Sequence, residues 1–246
     1  MQIRHIATFF LVALMVAGCG AVNRNIQIAD GEQVDGDVRN VNGSIRIGRD
    51  CTISGDVRNV NGAIFIGSGT RLNALRNTNG AIEVDSGAHA ASIQGTNGRI
   101  RIGQGVTVDG DVSNTNGAIE LAEEVTVDGD VETTNGRLGI AQGGRIAGTV
   151  RSTNGAIILT GAHAGGVAGA NGNIELLDGT RIEGEIHVQQ TRGTTVSGTP
   201  KIIVGPEVVV EGPIRIERPV ELYVHESART GEITGAEATR FSGDRP

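Results

Sequence analysis

Aromatic side chains are scarce in this chain of 246 residues, which has one Tyr, four Phe and no Trp. Two of the four, Phe9 and Phe10, lie in an apolar run at the N-terminus. A globular core of this length normally contains more large side chains. The scarcity therefore favours a narrow aliphatic core such as that of a solenoid, in which each repeat contacts only its neighbours.

Cysteine and lysine are nearly absent as well. Cys19 and Cys51 are the two cysteines, and Cys19 is assigned below to a lipid anchor, so no disulfide framework is expected. Cys51 occupies the first position of a repeat, where Thr70 and Val106 stand in others, and we predict a buried or half-buried structural thiol. Lys201 is the single lysine, and residues 19–246 carry 20 basic and 28 acidic groups, a net charge of −8. Because an acidic surface does not attract phosphate backbones, nucleic acid is not expected as a partner.

An Asn-Gly pair recurs along the chain at spacings of 17 to 19 residues, and it marks an internal repeat. The fullest copies read Val-Thr-Val-Asp-Gly-Asp-Val-x-x-Thr-Asn-Gly from Val106 and again from Val125. The eight pairs begin at Asn42, Asn61, Asn79, Asn97, Asn116, Asn135, Asn154 and Asn171. A period in this range is typical of a solenoid.

Aligned on this period, the repeats share four apolar columns, at positions 3, 7, 14 and 16. The repeats that begin at Cys51 and Val125 show them as Ile53, Val57, Ile64 and Ile66, and as Val127, Val131, Leu138 and Ile140. The last two columns lie two residues apart, which is the period of a strand, and β-branched side chains dominate. The sequence therefore predicts an all-β fold, a single-stranded parallel β-helix of about nine coils of 17–19 residues each.

The Asn-Gly pair itself is predicted to form one corner of each coil, since both residues tolerate left-handed backbone angles. A β-hairpin is the other structure that such a pair marks. The segments on its two sides do not mirror each other, however, which argues against the hairpin. Stacked Asn side chains at this corner are expected to hydrogen-bond from coil to coil, and a second ladder is expected for Thr78, Thr96, Thr115, Thr134 and Thr153.

The N-terminus has the features of a secretion signal. Arg4 and His5 precede an apolar run from Ile6 to Val16, and small residues close it before Cys19. Ala17-Gly18-Cys19 resembles the lipobox of bacterial lipoproteins. That resemblance implies removal of residues 1–18, acylation of Cys19 and, because Gly20 follows, an outer-membrane location with the chain on the periplasmic or surface face. The alternative is an ordinary secretory signal.

The remaining chain divides by pattern. Residues 19–31 are predicted to be an anchored linker with an N-terminal cap, and residues 32–188 the regular β-helix. Prolines then cluster at Pro200, Pro206, Pro213 and Pro219. Since proline is typical of blunted sheet edges, residues 189–225 are predicted to form either further, irregular coils or a cap over the edge of the sheet, and residues 226–246 a loose tail.

One column of carboxylates could be catalytic, because parallel β-helices include polysaccharide lyases and hydrolases. It consists of Asp37, Asp56, Asp111 and Asp130, and neighbours in it would stack about 4.8 Å apart. Such pairs suit glycoside chemistry or Ca²⁺ binding. The competing interpretation, which we favour, is a turn residue that accepts backbone N–H groups, because the repeat itself generates the column. The histidines His89, His163, His187 and His225 show no metal-ligand spacing, so no metal, cofactor or catalytic residue is assigned.

The repeats Asn-Gly-(Ala/Ser/Arg)-Ile-x-(Ile/Val), preceded by Gly-Asp-Val, resemble two groups of bacterial repeat proteins over residues 32–188. One is the bactofilins, cytoskeletal β-helices that polymerise end to end and are mostly cytoplasmic. The other is a group of adhesin-type β-repeat domains. The lipobox and the Pro-rich C-terminal segment depart from bactofilins.

The sequence therefore predicts a non-enzymatic envelope lipoprotein. We expect it to be a rigid β-helical scaffold or an adhesin-like interaction module that contacts a partner in the envelope or copies of itself. The alternative is a protein that binds or processes envelope polysaccharide.

Overall fold

The structure, a computed structural model, describes residues 23–190, 198–243 and 245–246. All its regular elements are β-strands, and every strand pairing within the described residues is parallel. No helix in the described residues is long and apolar enough to cross a membrane. The chain coils into a three-faced parallel β-solenoid, which confirms the predicted fold class.

Face 1 consists of two-residue strands and of the first residues of four long strands, which continue into face 2. The long strands are Arg71–Asn79, His89–Asn97, Arg145–Ser152 and His163–Gly169. The short strands of face 1 are Gln33–Val34, Thr52–Ile53, Thr107–Val108, Thr126–Val127, Arg181–Ile182, Val209–Val210 and Arg229–Thr230.

Face 2 holds the segment that precedes each Asn-Gly corner. Besides the later residues of the four long strands, it contains Val38–Asn42, Val57–Asn61, Val112–Asn116, Val131–Asn135, Ile186–Val188, Ile214–Ile216 and Ile233–Thr234.

Face 3 follows the corner and forms a single sheet of twelve strands. These are Ile26–Ile28, Ile45–Ile47, Ile64–Ile66, Ile82–Val84, Ile100–Ile102, Ile119–Leu121, Leu138–Ile140, Ile157–Thr160, Ile174–Leu177, Lys201–Val204, Glu221–His225 and Ala238–Phe241. Twelve stacked strands are separated by eleven steps of about 4.8 Å, which gives a stack roughly 53 Å long.

The core is the set of inward-facing columns of the three faces. The four predicted apolar columns are buried, and equivalent residues are register partners: Val38 pairs with Val57, and Ile45 with Ile64. Stacking like on like lets aliphatic side chains fill a narrow interior, and each fully buried Ile or Val contributes about 1.5–3 kcal/mol. Cys51 is 1% exposed, and its thiol donates a hydrogen bond to the carbonyl of Ala29 (3.1 Å), as expected for a structural thiol.

The coil count exceeds the predicted nine, because the chain after residue 188 continues the solenoid for about two coils more. Ile174 pairs with Ile202, 28 residues later, so the strands that contain them stack in register although this coil is longer in sequence than the others. Pro200 and Pro213 stand immediately before the strands Lys201–Val204 and Ile214–Ile216, where a missing N–H costs no ladder bond. Residues 226–246 contain the three strands of the last coil.

Candidate functional site

An asparagine ladder runs along the corner between faces 2 and 3. The Nδ2 of each Asn-Gly asparagine donates to the Oδ1 of its counterpart one coil earlier, at 2.7–2.9 Å. The ladder begins at Asn23, runs through Asn42, Asn61, Asn79, Asn97, Asn116, Asn135 and Asn154, and reaches Asn171. The predicted coil-to-coil hydrogen bonds of this column are confirmed. The threonines that precede these asparagines lie in register from coil to coil, as Thr96, Thr115 and Thr134 do, but none of the five Thr hydroxyls makes a hydrogen bond with a described residue.

Arg218 caps the C-terminal end of the ladder. Its Nη1 donates to the Oδ1 of Asn171 (2.6 Å) and to the carbonyl of Ala170 (2.9 Å). The guanidinium therefore joins the last Asn-Gly corner to the coils that lack this corner.

Glycine follows each ladder asparagine from Asn42 onward, because the corner has no room for a side chain. At Gly62, with φ +121°, a Cβ would lie 2.3 Å from the carbonyl oxygen of Gly43. At Gly117, with φ +146°, it would lie 2.0 Å from that of Gly98. The Gly N–H groups donate to the asparagine carbonyls of the next coil, as from Gly43 to Asn61 at 2.9 Å.

A second polar column lies inside the corner, and the sequence interpretation missed it. Its buried members are Asn40, Asn59, Asn77, Asn114, Thr133 and Ser152. Most of them donate to the carbonyl of the Asn-Gly glycine one coil earlier, as Asn114 does to Gly98 (2.7 Å) and Thr133 to Gly117 (3.1 Å). The Oδ1 atoms of Asn59, Asn77 and Asn114 have no hydrogen-bond partner among the residues that the structure describes.

The alternation of residues along a strand is the sequence signal that could have identified this inner polar column. Asn40 follows Val38 by two residues, so strand alternation places both on the inner face. In later coils that lack the Asn-Gly corner, the same position holds buried Val188 and Ile216. A polar residue therefore occupies this inner position in the coils that have the Asn-Gly corner, except at Gly95 and Gly169, where glycine takes its place.

The carboxylate column lies at the corner between faces 1 and 2, and its oxygens bind the backbone. Oδ1 of Asp37 accepts from the N–H of Asp56 (2.8 Å), and Oδ1 of Asp111 from that of Asp130 (2.9 Å). Asp130 does the same for Thr149 (2.7 Å). The predicted capping role is confirmed for these hydrogen bonds.

Two carboxyls of the N-terminal coils are acidified by such bonds. The backbone N–H of Asp56 holds the pKa of Asp37 below its ordinary value, and the guanidinium of Arg39 adds to this effect. The backbone N–H of Arg49 and then its side chain lower the pKa of Asp30 in the same way. Both groups therefore stay ionised to lower pH than a free carboxyl, which favours a structural role for them.

The histidines lie apart, as their spacing indicates. Nε2 of His89 is 2.8 Å from Oδ1 of Asp109, and Nε2 of His187 is 2.9 Å from Oε1 of Glu217. The His187 contact, followed by the backbone N–H of Gln190, lowers the pKa of Glu217. Within the part of the chain that the structure describes, no group of three or more His, Cys, Asp or Glu side chains is placed to hold a metal ion.

One cleft breaks the pattern of the repeat. It lies on face 1, has a volume of about 320 Å³, and is lined in part by Asp128, Arg145, His163 and Glu183. Beneath it the pairing of Arg145–Ser152 with His163–Gly169 shifts register between Ile146 and Thr149. A register irregularity therefore coincides here with a cluster of polar side chains, in which Arg145, His163 and Glu183 depart from the fullest copies of the repeat.

Cys19 and the predicted signal, residues 1–18, lie outside the described residues. No protein-family model, curated protein or solved structure matches the chain. The fold and its corners thus define the class, a parallel β-solenoid with an external asparagine ladder.

Proposed function

We propose that this protein is a non-enzymatic scaffold or interaction module of the bacterial envelope, held at the membrane by acyl chains on Cys19. The observation that carries the proposal is the unbroken asparagine ladder from Asn23 to Asn171. Together with the in-register strands beneath it, the ladder ties nine consecutive corners into one stack. Such a body presents extended flat faces to partners, as solenoids do.

The polar side chains support this choice over catalysis. The repeated carboxylates Asp37, Asp111 and Asp130 accept backbone N–H groups of the next coil. The corner asparagines bond to one another. These groups are engaged in holding coils together, which suits a scaffold.

The lipid anchor has a direct test. The intact protein is purified from its host membrane, and the mass of its N-terminal peptide is determined. We expect a peptide that begins at acylated Cys19 and a Cys19→Ser variant that keeps the signal uncleaved. An unmodified N-terminus at another residue would contradict the anchor and leave the scaffold proposal standing.

Self-association is the second part of the proposal. Among the described residues, the strands of the first coil have no neighbour on their N-terminal side and those of the last coil none on their C-terminal side. Unpaired edges are templates for pairing with another chain. Sedimentation of the unlipidated chain over a range of concentrations separates monomer from polymer, and a monomer at all concentrations would leave an envelope partner as the ligand of the scaffold.

A polysaccharide-binding function is the second candidate, and the face 1 cleft favours it. Arg145, His163 and Glu183 offer charged and hydrogen-bonding groups that the repeat does not generate. Titration of envelope glycans against the protein, an Arg145→Ala/His163→Ala variant and an Asp111→Asn/Asp130→Asn variant tests it. Binding lost in the first variant and kept in the second would place a glycan in the cleft, and activity lost in the second would favour the carboxylate column.

A further inference from the structure

Three arginines stack on face 2 of the N-terminal coils. Arg39 pairs in register with Arg58, and Arg58 with Arg76, so the three side chains follow one another at about 4.8 Å per coil. All three point outward, and the side chains of Arg39 and Arg58 are 57% and 41% exposed. At the same position, the next coils carry Gln94, Ser113 and Glu132. The stack is therefore specific to this end of the solenoid.

Two exposed valines lie beside the arginines. Val41 and Val60 follow Arg39 and Arg58 by two residues on the same strands, and they are 40% and 41% exposed. Among the described residues, they are the large apolar side chains with the greatest exposure to solvent. We name the five residues Arg39, Arg58, Arg76, Val41 and Val60 the Arg/Val patch.

The N-terminal coils, which carry the Arg/Val patch, are also less acidic than the rest of the chain. Residues 23–76 contain seven Arg and six Asp or Glu, a net charge of +1, whereas residues 77–246 contain 13 basic and 22 acidic groups, a net charge of −9. Within the patch, Arg39 and Arg58 bond to Asp37 and Asp56. Arg76 makes no ion pair with a described residue, because Ala74 stands near the place of those aspartates.

We infer that the Arg/Val patch is a docking surface for the anionic lipid surface of the membrane in which the protein is anchored. The inference rests on the proposed lipid anchor for the orientation of the molecule. Seven residue steps separate Cys19 from Ile26 in the first strand, and they span at most about 25 Å. An acylated Cys19 therefore keeps the first coils next to the lipid headgroups and leaves the acidic coils free to extend away.

The chemistry of the patch suits this occupant. Guanidinium groups bind phosphate through paired N–H donors, and the carboxylates that bond Arg39 and Arg58 use only part of each five-donor fork. Aliphatic side chains beside the arginines gain by leaving water at the boundary between headgroups and acyl chains. The acidic remainder of the chain is repelled by the same anionic surface, so the molecule binds by its N-terminal coils alone.

The test uses the mature chain, residues 19–246, which contains every described residue, prepared without acyl chains. It is sedimented with vesicles of phosphatidylcholine that contain or lack phosphatidylglycerol. We expect binding to the anionic vesicles only, and release in 0.5 M salt, about the range where screening reaches a few Å. The triple variant Arg39→Gln/Arg58→Gln/Arg76→Gln should bind at least about tenfold more weakly, since each arginine near an anionic surface contributes about fivefold.

The matched control is Arg99→Gln/Arg137→Gln/Arg151→Gln, which removes the same charge from exposed arginines of later coils. It should bind within about twofold of the unmodified chain. Circular dichroism verifies the fold of each variant. If the N-terminal triple variant fails to fold, Arg76→Gln alone leaves both ion pairs intact and should weaken binding about fivefold.

Three results would overturn the inference. They are an unmodified chain that does not bind anionic vesicles, equal losses in the two triple variants, and binding to neutral vesicles as strong as to anionic ones. The acylation of Cys19 does not enter this assay, so failure of the lipid anchor and failure of the patch are separate outcomes.

Discussion

Each residue of the Asn-Gly corner has a different structural task. Asparagine links neighbouring coils through its side chain, as Asn97 does by donating to Asn79 and accepting from Asn116. Glycine allows the chain to pass close to the preceding coil. Because the two tasks are separate, substitutions at the two positions should destabilise the fold for different reasons.

The glycine is tested by Gly117→Ala. The new Cβ would meet the Gly98 oxygen at 2.0 Å, and φ is +146°. We expect the free energy of unfolding to fall by about 2–4 kcal/mol, measured by urea unfolding. The control is Gly139→Ala, where nothing lies within 4 Å of the added Cβ. This variant should match or slightly exceed the stability of the unmodified protein, and an equal loss in both would disprove the close-contact explanation.

The acidified aspartates predict a dependence of stability on pH. Asp30 and Asp37 have pKa values below the ordinary 3.8, chiefly because backbone N–H groups of Arg49 and Asp56 donate to them. A depressed folded-state pKa contributes stability that is complete above the unfolded value and is lost as pH falls through the folded one. The free energy of unfolding should therefore decrease below about pH 4.

In the variant Asp30→Asn/Asp37→Asn this decrease should be shallower, because the amide keeps an acceptor but cannot be protonated in this range. Urea unfolding at pH 6, 4 and 3 measures it. Asp85→Asn/Asp128→Asn, at two aspartates whose side chains accept no hydrogen bond from a described residue, should follow the unmodified curve more closely. Parallel curves for all three proteins would contradict the assignment.

At the level of the element, the inner polar column stabilises the turn between the face 2 and face 3 strands by donating hydrogen bonds to it. The face 2 strand must turn at Asn-Gly, and the glycine carbonyl then points toward the interior without a strand partner. An unpaired buried carbonyl costs about 1–3 kcal/mol. The side chain beneath it removes that cost, which explains why a polar residue is retained in an otherwise aliphatic core.

Thr133→Val tests this role, because it changes the shape little and removes the donor to Gly117. We expect a loss of about 1–2 kcal/mol in the free energy of unfolding. Thr134→Val is the matched control, since Thr134 is the exposed neighbour and its hydroxyl makes no hydrogen bond with a described residue. It should change stability by less than about 0.5 kcal/mol. The same loss at both positions would point to a general effect of valine in this strand.

The strands and corners could be predicted where the repeat is regular. The spacing of Asn42, Asn61 and Asn79 identifies the coil, and the two-residue period of Ile64 and Ile66 identifies a strand. The inner polar column is not evident from the alignment, because Asn40 and Asn59 are polar and the repeats are aligned on their apolar columns. The sequence predicts the last coils only as irregular coils or a cap, because their corners lack Asn-Gly, although Ile214 and Ile216 keep the two-residue period and are buried.

The arrangement of the face 1 cleft could not be predicted, for a physical reason. The register shift between Ile146 and Thr149 falls within the strand that carries Arg145, next to the cleft lined by Arg145, His163 and Glu183, and the repeat pattern does not reveal it. A repeat pattern describes the average coil. The residues that depart from it acquire neighbours only when the register is known.

At the scale of the whole molecule, a solenoid is a one-dimensional stack whose two ends differ from its middle. The ladder and the core give each interior coil a neighbour on both sides. The last coil instead is only partly buried, with Ile233, Ala236 and Ala238 packed against the core, and Phe241 contacting His225 edge to face at 5.0 Å. This coil acts as the cover of the C-terminal end, because Leu222 and Val224 beneath it are buried.

Removal of the last coil should therefore cause the solenoid to self-associate. A chain that ends at His225 would lose residues 226–246, expose Leu222 and Val224, and leave Glu221–His225 as an open edge strand. Because open apolar edges template pairing between chains, we expect sedimentation velocity to show concentration-dependent oligomers and thermal unfolding to begin at a lower temperature. A chain that ends at Phe241 keeps all three strands of the coil and should behave as the full protein does. If both truncated chains sediment like the full protein, the last coil does not protect the C-terminal end, and Glu221–His225 is no better a template for pairing than the strand that covers it.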